Sequence, residues 1–252
     1  MKGTLSILAL AIVASSAMAQ VVVYDNLSAP SAAVSGFTTS LTNTGATAGS
    51  FIGQMTADDI TPISGFGGAI MSEWQFTMLN TDTVNAVSVR PRVRIYDSTG
   101  AGGGPGTVLA AVSFNPISIA ANSYSIVTGN MTPNNIALPS GTFWFGIVYD
   151  SVGSGGAGNT GATAAQVAGM GQVVFNGGPT IGSSANQIFT TTAAGSATVS
   201  FASNSPAGTI GGFVGGSPVA NMGIKITVVP EPATMTALAL GGLALLRRKR
   251  AK

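Results

Sequence analysis

The chain has 252 residues, with 10 cationic and 8 acidic side chains, a net charge of +2, and neither histidine nor cysteine. Without cysteine there is no disulfide framework, no thiolate nucleophile and no cysteine-ligated zinc or iron–sulfur site; without histidine the commonest general base and metal ligand is missing. Charged residues make up only 7% of the sequence, so their positions carry information.

Residues 1–19, MKGTLSILALAIVASSAMA, place Lys2 before an apolar stretch at 5–14 and end in Ala17-Met18-Ala19, a small-x-small cleavage pattern. This is the layout of a secretory signal peptide, with Gln20 as the expected mature N-terminus. Once both ends are set aside, residues 20–232 hold four cations (Arg90, Arg92, Arg94, Lys225) against eight acids (Asp25, Asp58, Asp59, Glu73, Asp82, Asp97, Asp150, Glu231), a net of −4. The positive balance belongs to the ends, and the body has no nucleic-acid footprint.

Residues 20–228 read as one all-β ectodomain, a β-sandwich of jelly-roll-like type. Strand-like runs at 73–79, 89–97, 107–114, 123–129, 142–150, 172–176, 197–201 and 222–229 are separated by Gly, Pro, Asn and Ser turns. No amphipathic helix of ten or more residues is apparent. The glycine-rich run 151–171 is expected to be a long mobile surface loop. In 143–149 one strand face carries Phe143, Phe145, Ile147 and Tyr149 and the other Trp144 and Val148, which predicts burial on both faces or a covering loop. Trp74, Phe76 and Met78 form a similar set opposite Glu73, Gln75 and Thr77; core packing is the preferred reading of both sets over a sugar-stacking platform.

Two motifs recur in the body. Ile95-Tyr96-Asp97-Ser98 and Val148-Tyr149-Asp150-Ser151 each lead into a glycine-rich loop, and Val23-Tyr24-Asp25-Asn26 is a partial third copy. An Asp ending a strand accepts hydrogen bonds from turn amides, the preferred reading. The functional alternative is calcium, with Asp97 and Asp150 converging at one end of the sandwich; no other cofactor is expected. Arg90, Arg92 and Arg94 alternate, so an extended strand puts them on one face with Tyr96 and turns Val89, Pro91, Val93 and Ile95 to the core. Such a stripe suits an acidic polysaccharide, because arginine forks onto carboxylates and tyrosine offers a stacking surface. The plainer readings are a solvated face or a guarded sheet edge. No pair of carboxylates is marked for glycosidase chemistry: Asp58 and Asp59 are adjacent and point to opposite faces if extended. No catalytic residue is assigned, and no enzymatic activity is expected.

The tail reads differently. Residues 233–246 are uncharged, and 14 helical residues span about 21 Å against a hydrocarbon core of about 30 Å. Pro230-Glu231-Pro232 blocks extension upstream, and Arg247, Arg248, Lys249 and Arg250 follow, leaving that end in the cytoplasm and the body outside. This order of motif, short apolar helix and basic cluster resembles the PEP-CTERM sorting signal of exported bacterial proteins. The resemblance implies transient residence in the inner membrane, recognition of Pro230, Glu231, Pro232 and the basic cluster by an exosortase-like membrane enzyme, and delivery to the surface or an extracellular polysaccharide matrix. An uncut C-terminal anchor is the alternative. For the body, the expected role is structural or adhesive, and the alternative is a carbohydrate-binding module for acidic exopolysaccharide using Arg90, Arg92, Arg94 and Tyr96.

Overall fold

A computed structural model describes residues 20–28, 31–38, 53–151, 160–191, 204–212 and 220–230. The signal segment 1–19, the expected strand at 197–201 and the tail beyond Pro230 lie outside the described residues. The described chain is mostly β, arranged as two antiparallel sheets of seven strands each. The first sheet contains β1 (Val21–Asp25), β2 (Ser31–Thr38), β4 (Ile70–Asn80), β8 (Ser123–Asn130), β10 (Met170–Asn176), β13 (Ala220–Met222) and β14 (Ile224–Val229). The second contains β3 (Thr56–Ile60), β5 (Val87–Asp97), β6 (Val108–Ser113), β7 (Ile117–Ile119), β9 (Phe143–Asp150), β11 (Gln187–Thr191) and β12 (Gly208–Gly212). Its order runs β12-β11-β3-β9-β5-β6, with β7 also on β5.

The alternation written in the sequence decides which faces meet. Trp74, Phe76 and Met78 of β4 and Phe143, Phe145, Ile147 and Tyr149 of β9 are fully buried in one cluster shared by the two sheets. Trp74 meets Phe145 edge to face at 5.4 Å, the geometry that sets a ring's positive edge against a negative face. Burying each of these side chains is worth about 1.5–3 kcal/mol, so this layer contributes heavily to the stability of the fold. Val89, Val93 and Ile95 of β5 point into the same core.

Pro91 sits inside a central strand without breaking it. β6 pairs with Arg92 to Tyr96, whereas β7 pairs with Val87 to Val89, so residue 91 falls where one partner gives way to the other. Its carbonyl accepts from the Phe114 amide at 3.0 Å, so its missing N–H falls on that same side, at the changeover where no ladder acceptor is required. The expectation of a guarded edge is therefore corrected: β5 is flanked by β9 on one side and by β6 and β7 on the other.

The run 222–229 is divided at Gly223. β13 pairs with β10, while β14 pairs with β4 and β1. A Cβ at Gly223 would meet Phe175 at 2.5 Å and Thr77 at 2.8 Å. Glycine lets the two strands cross between partners without a clash.

The stretch 160–171 is not the open loop expected from its composition. Thr163 caps a short helix, α1 (Ala164–Ala168), in a reciprocal box with Gln166, and Val167 and Met170 are fully buried beneath it. Residues 152–159 lie outside the described part.

Candidate functional site

The antiparallel register of β5 and β9 places each residue singled out in the sequence. Arg90 lies opposite Asp150, Arg92 opposite Val148, Arg94 opposite Gly146 and Tyr96 opposite Trp144. All of these stand on the face of the second sheet turned away from the main core. The three arginines and Tyr96 do share a face, as the alternation requires. That face is not solvated: Arg90 is 2% exposed, Arg94 7% and Tyr96 1%.

The reason is a second apolar cluster. Tyr96, Trp144 and Val148 pack with Met55, just before β3, Ala57 of β3 and Phe189 of β11, flanked by Val108 and Ile210. Gly146 leaves room for Met55, whose Sδ would lie 2.7 Å from an added Cβ. Trp144 meets Phe189 edge to face at 6.2 Å, and its Nε1 donates to the Gly103 carbonyl at 2.9 Å. The glycine loop after β5 is thereby held against the outer layer. Burial pushes the Tyr96 phenol up to about 12, opposed by the Arg94 charge. Burial also lowers the pKa of Arg94, whose guanidinium donates to the Val93 carbonyl at 2.9 Å.

Asp150 is fully buried and is shared by two cations. Arg90 Nη1 approaches one carboxylate oxygen at 3.9 Å, and Arg92 Nε pairs with the other. Arg92, at 20% exposure, is the arginine nearest to solvent. The arginines are thus tied into the protein's own structure, and the face is built to neutralise and pack rather than to present charge.

The three Tyr-Asp motifs take different roles. Asp97 Oδ1 accepts from the amides of Thr99 at 3.1 Å and Thr107 at 2.8 Å and from the Thr99 hydroxyl at 2.6 Å. The Thr99 hydroxyl, followed by the backbone bonds, holds this carboxyl below its ordinary range. Asp25 accepts from the Leu27 and Ser28 amides at 2.8 and 2.9 Å and pairs with Lys225 at 3.3 Å. Burial pushes Asp25 upward, but the Ser28 hydroxyl, these amides and Lys225 outweigh it and leave it lowered. Asp150 alone faces arginines.

Asp97 and Asp150 do not converge. In the β5–β9 ladder Asp97 stands across from Phe143 and Asp150 across from Arg90, at opposite ends of both strands. Seven residues of strand separate the two levels, about 23 Å. The two-aspartate calcium site drawn from the sequence is not assembled, because an antiparallel pair puts the C-terminal ends of its strands at opposite poles. Among the described residues no group of three or more acidic side chains is gathered for a metal ion.

The sequence reading missed β3, Thr-Ala-Asp-Asp-Ile, whose five residues are all buried. Asp58 and Asp59 there meet Ser184, which in turn reaches Asn221, beside Tyr24. Two adjacent acids suppressed the apolar signal; the flanking Met55, Ala57 and Ile60 were the available clue.

The tail leaves this body directly from β14, which ends at Val229, with Pro230 buried behind it. The molecule is an all-β body carrying a C-terminal address. Residues 228–250 match the PEP-CTERM protein-sorting motif. The motif implies an exported protein, held transiently at the membrane and processed by an exosortase-type enzyme. Glu231, Pro232, the apolar run and the basic cluster lie outside the described residues, and among the described residues no helix is long and apolar enough to cross a membrane. No curated protein matches the chain. A solved structure of the Clostridial cysteine protease Cwp84 after propeptide cleavage is similar at 14% identity and a TM-score of 0.38, over 79% of this chain and 38% of that one. The chain spans well under half of that protein, and a likeness this loose carries no argument.

Proposed function

We propose that the chain is a surface-sorted β-sandwich protein, jelly-roll-like in its body, with a structural or adhesive role in the extracellular matrix and no catalytic activity. The observation that carries this reading is the sorting motif at 228–250, joined without a spacer to the last strand of the body. The N-terminal segment acts as a signal peptide, and residues 233–246 act as a short membrane helix until the sorting enzyme cuts near Pro230-Glu231-Pro232. The body contributes bulk, a deep core and a surface low in charge, properties that suit packing within a matrix.

The competing reading, a module for acidic exopolysaccharide on Arg90, Arg92, Arg94 and Tyr96, draws less support. Arg90 and Arg94 are buried, and Asp150 already takes the charge of Arg90 and Arg92. Calcium at Asp97 and Asp150 draws none, given their separation.

Intact-mass and C-terminal peptide mapping of the protein from its own producer tests the sorting reading. Extracellular chains that begin at Gln20 and lack residues 247–250 support it; recovery only of membrane chains ending at Lys252 overturns it. For the role of the body, retention on acidic polysaccharide that is abolished by Arg92→Ala with Arg94→Ala would replace the structural reading with the binding one. Turnover on any of a panel of glycans would sink the non-catalytic reading.

A further inference from the structure

Asp58 and Asp59 form a buried seam between the sheets. Asp58 is fully buried and Asp59 is 3% exposed. Asp58 Oδ2 accepts from the Met222 amide of β13 at 2.8 Å, across from its own sheet. Asp59 accepts from the Ala185 amide at 2.7 Å and the Gln187 amide at 3.2 Å. Between the two stands Ser184, whose Oγ lies 3.4 Å from Asp58 Oδ1, 3.0 Å from Asp59 Oδ1 and 2.5 Å from Asn221 Oδ1.

The Ser184 hydroxyl stands in a cluster short of protons. The hydroxyl has one proton and faces three oxygens. Asn221 presents its carbonyl because its Nδ2 donates to Gly177 at 3.3 Å. The 2.5 Å contact claims the serine proton, so the two carboxylate contacts lack one. Asp59 has two amide donors of its own, whereas Asp58 has one and is the more deeply buried. Tyr24, also fully buried and with a hydroxyl that has no hydrogen-bond partner among the described residues, adjoins the same pair electrostatically. We infer that the Asp58–Asp59 pair holds one proton in the folded protein, resting on Asp58, and that this proton completes the clasp from β3 through Ser184 and Asn221 to β13.

Among the described residues the surroundings offer no competing cation. β9 contributes Trp144 and Phe145 opposite the pair, and β11, β13 and residues 180–186 hold no titratable side chain. β1 supplies Tyr24 and Asp25, and the charge of Asp25 is met by Lys225 of β14. Burial, and then the neighbouring Asp59 charge, push the Asp58 carboxyl well above its usual range; burial likewise raises Asp59.

A carboxyl that holds its proton more tightly folded than unfolded stabilises the fold below about pH 4, and that stabilisation is lost as pH rises through the folded value. Histidine and cysteine are absent, so no side chain with an ordinary pKa titrates between about pH 5 and 9. Apart from the α-amino group, whose titration Asp58→Asn leaves in place, a stability change in that window reports a displaced carboxyl.

The test is denaturant unfolding of the full-length chain from pH 5 to 9, beside Asp58→Asn. The folding constant of the parent is expected to fall by up to about tenfold per pH unit over part of the window, and the variant to stay flat. A flat parent, or an equal decline in both, overturns the inference. Should Asp58→Asn fail to fold, carbon-13 carboxyl NMR of aspartate-labelled parent decides it. One carboxyl still protonated at pH 6 supports the inference, and ordinary titration of every aspartate overturns it.

Discussion

Arg90 and Asp150 face each other across the β5–β9 ladder, both buried, and Arg92 closes on the same carboxylate from two residues further along β5. Two guanidinium groups thus depend on one acid. Asp150→Asn leaves Arg90 buried without a counter-charge and is expected to cost about 3–5 kcal/mol in denaturant unfolding. Arg90→Met combined with Asp150→Leu is expected to cost less than the sum of the single changes, because the buried Arg90 then goes with its acid and only the more exposed Arg92 is left without it.

Trp144 fastens the glycine loop to the outer layer. Trp144→Phe removes the bond to the Gly103 carbonyl and thins the contact with Phe189. A loss of about 1–3 kcal/mol is expected, with faster amide exchange across residues 100–106 as the local signature.

Gly106 lies where a side chain would enter the Asp97 turn, against Asp97 Oδ1 and Thr99 Oγ1. Gly106→Ala is expected to open that turn and cost about 1–3 kcal/mol. The Asp97 carboxyl should move back up towards its ordinary value, read by carboxyl NMR, as the Thr99 and Thr107 bonds are lost.

Asp25 acts in the opposite sense to Asp58. Its folded pKa is lowered, so its contribution is present above about pH 4 and lost as pH falls through the folded value. Asp25→Asn is expected to cost about 1 kcal/mol at pH 6 and nothing measurable near pH 2, by thermal unfolding across that range. With Asp25 failing in acid and the Asp58 clasp failing in base, the parent should be most stable in mildly acidic solution.

Within the sorting motif, Glu231→Ala is expected to leave unprocessed chains ending at Lys252 in the membrane fraction of the producer, read by intact mass. Normal release of the variant would remove Glu231 from the recognition set.

Much of the body was legible because alternation is a local property. The pattern at 143–149 gave both faces of β9, and Trp74, Phe76 and Met78 gave the inner face of β4. What escaped was pairing, which is not local. Arg90, Arg92 and Arg94 look solvated in sequence because nothing there places Asp150, 60 positions from Arg90, or the side chains of Met55 and Ala57 on the same face. Asp97 and Asp150 look equivalent because their flanking words agree, and only the antiparallel register sends them to opposite poles. The Asp58–Asp59 strand was hidden by its own charges, whose partners come from residues 184 to 222.

The position of β14 sets how the body would respond to being held by its tail. The strand is zipped to β1 on one side and β4 on the other, and the sorting motif begins as it ends. A pull along the strand axis loads both ladders lengthwise, so their bonds share the force instead of opening one at a time. Val21 pairs with Val228, which brings the start of the body beside its exit. A tether at this point draws on a strand inside a sheet, held by two ladders rather than by a covalent staple.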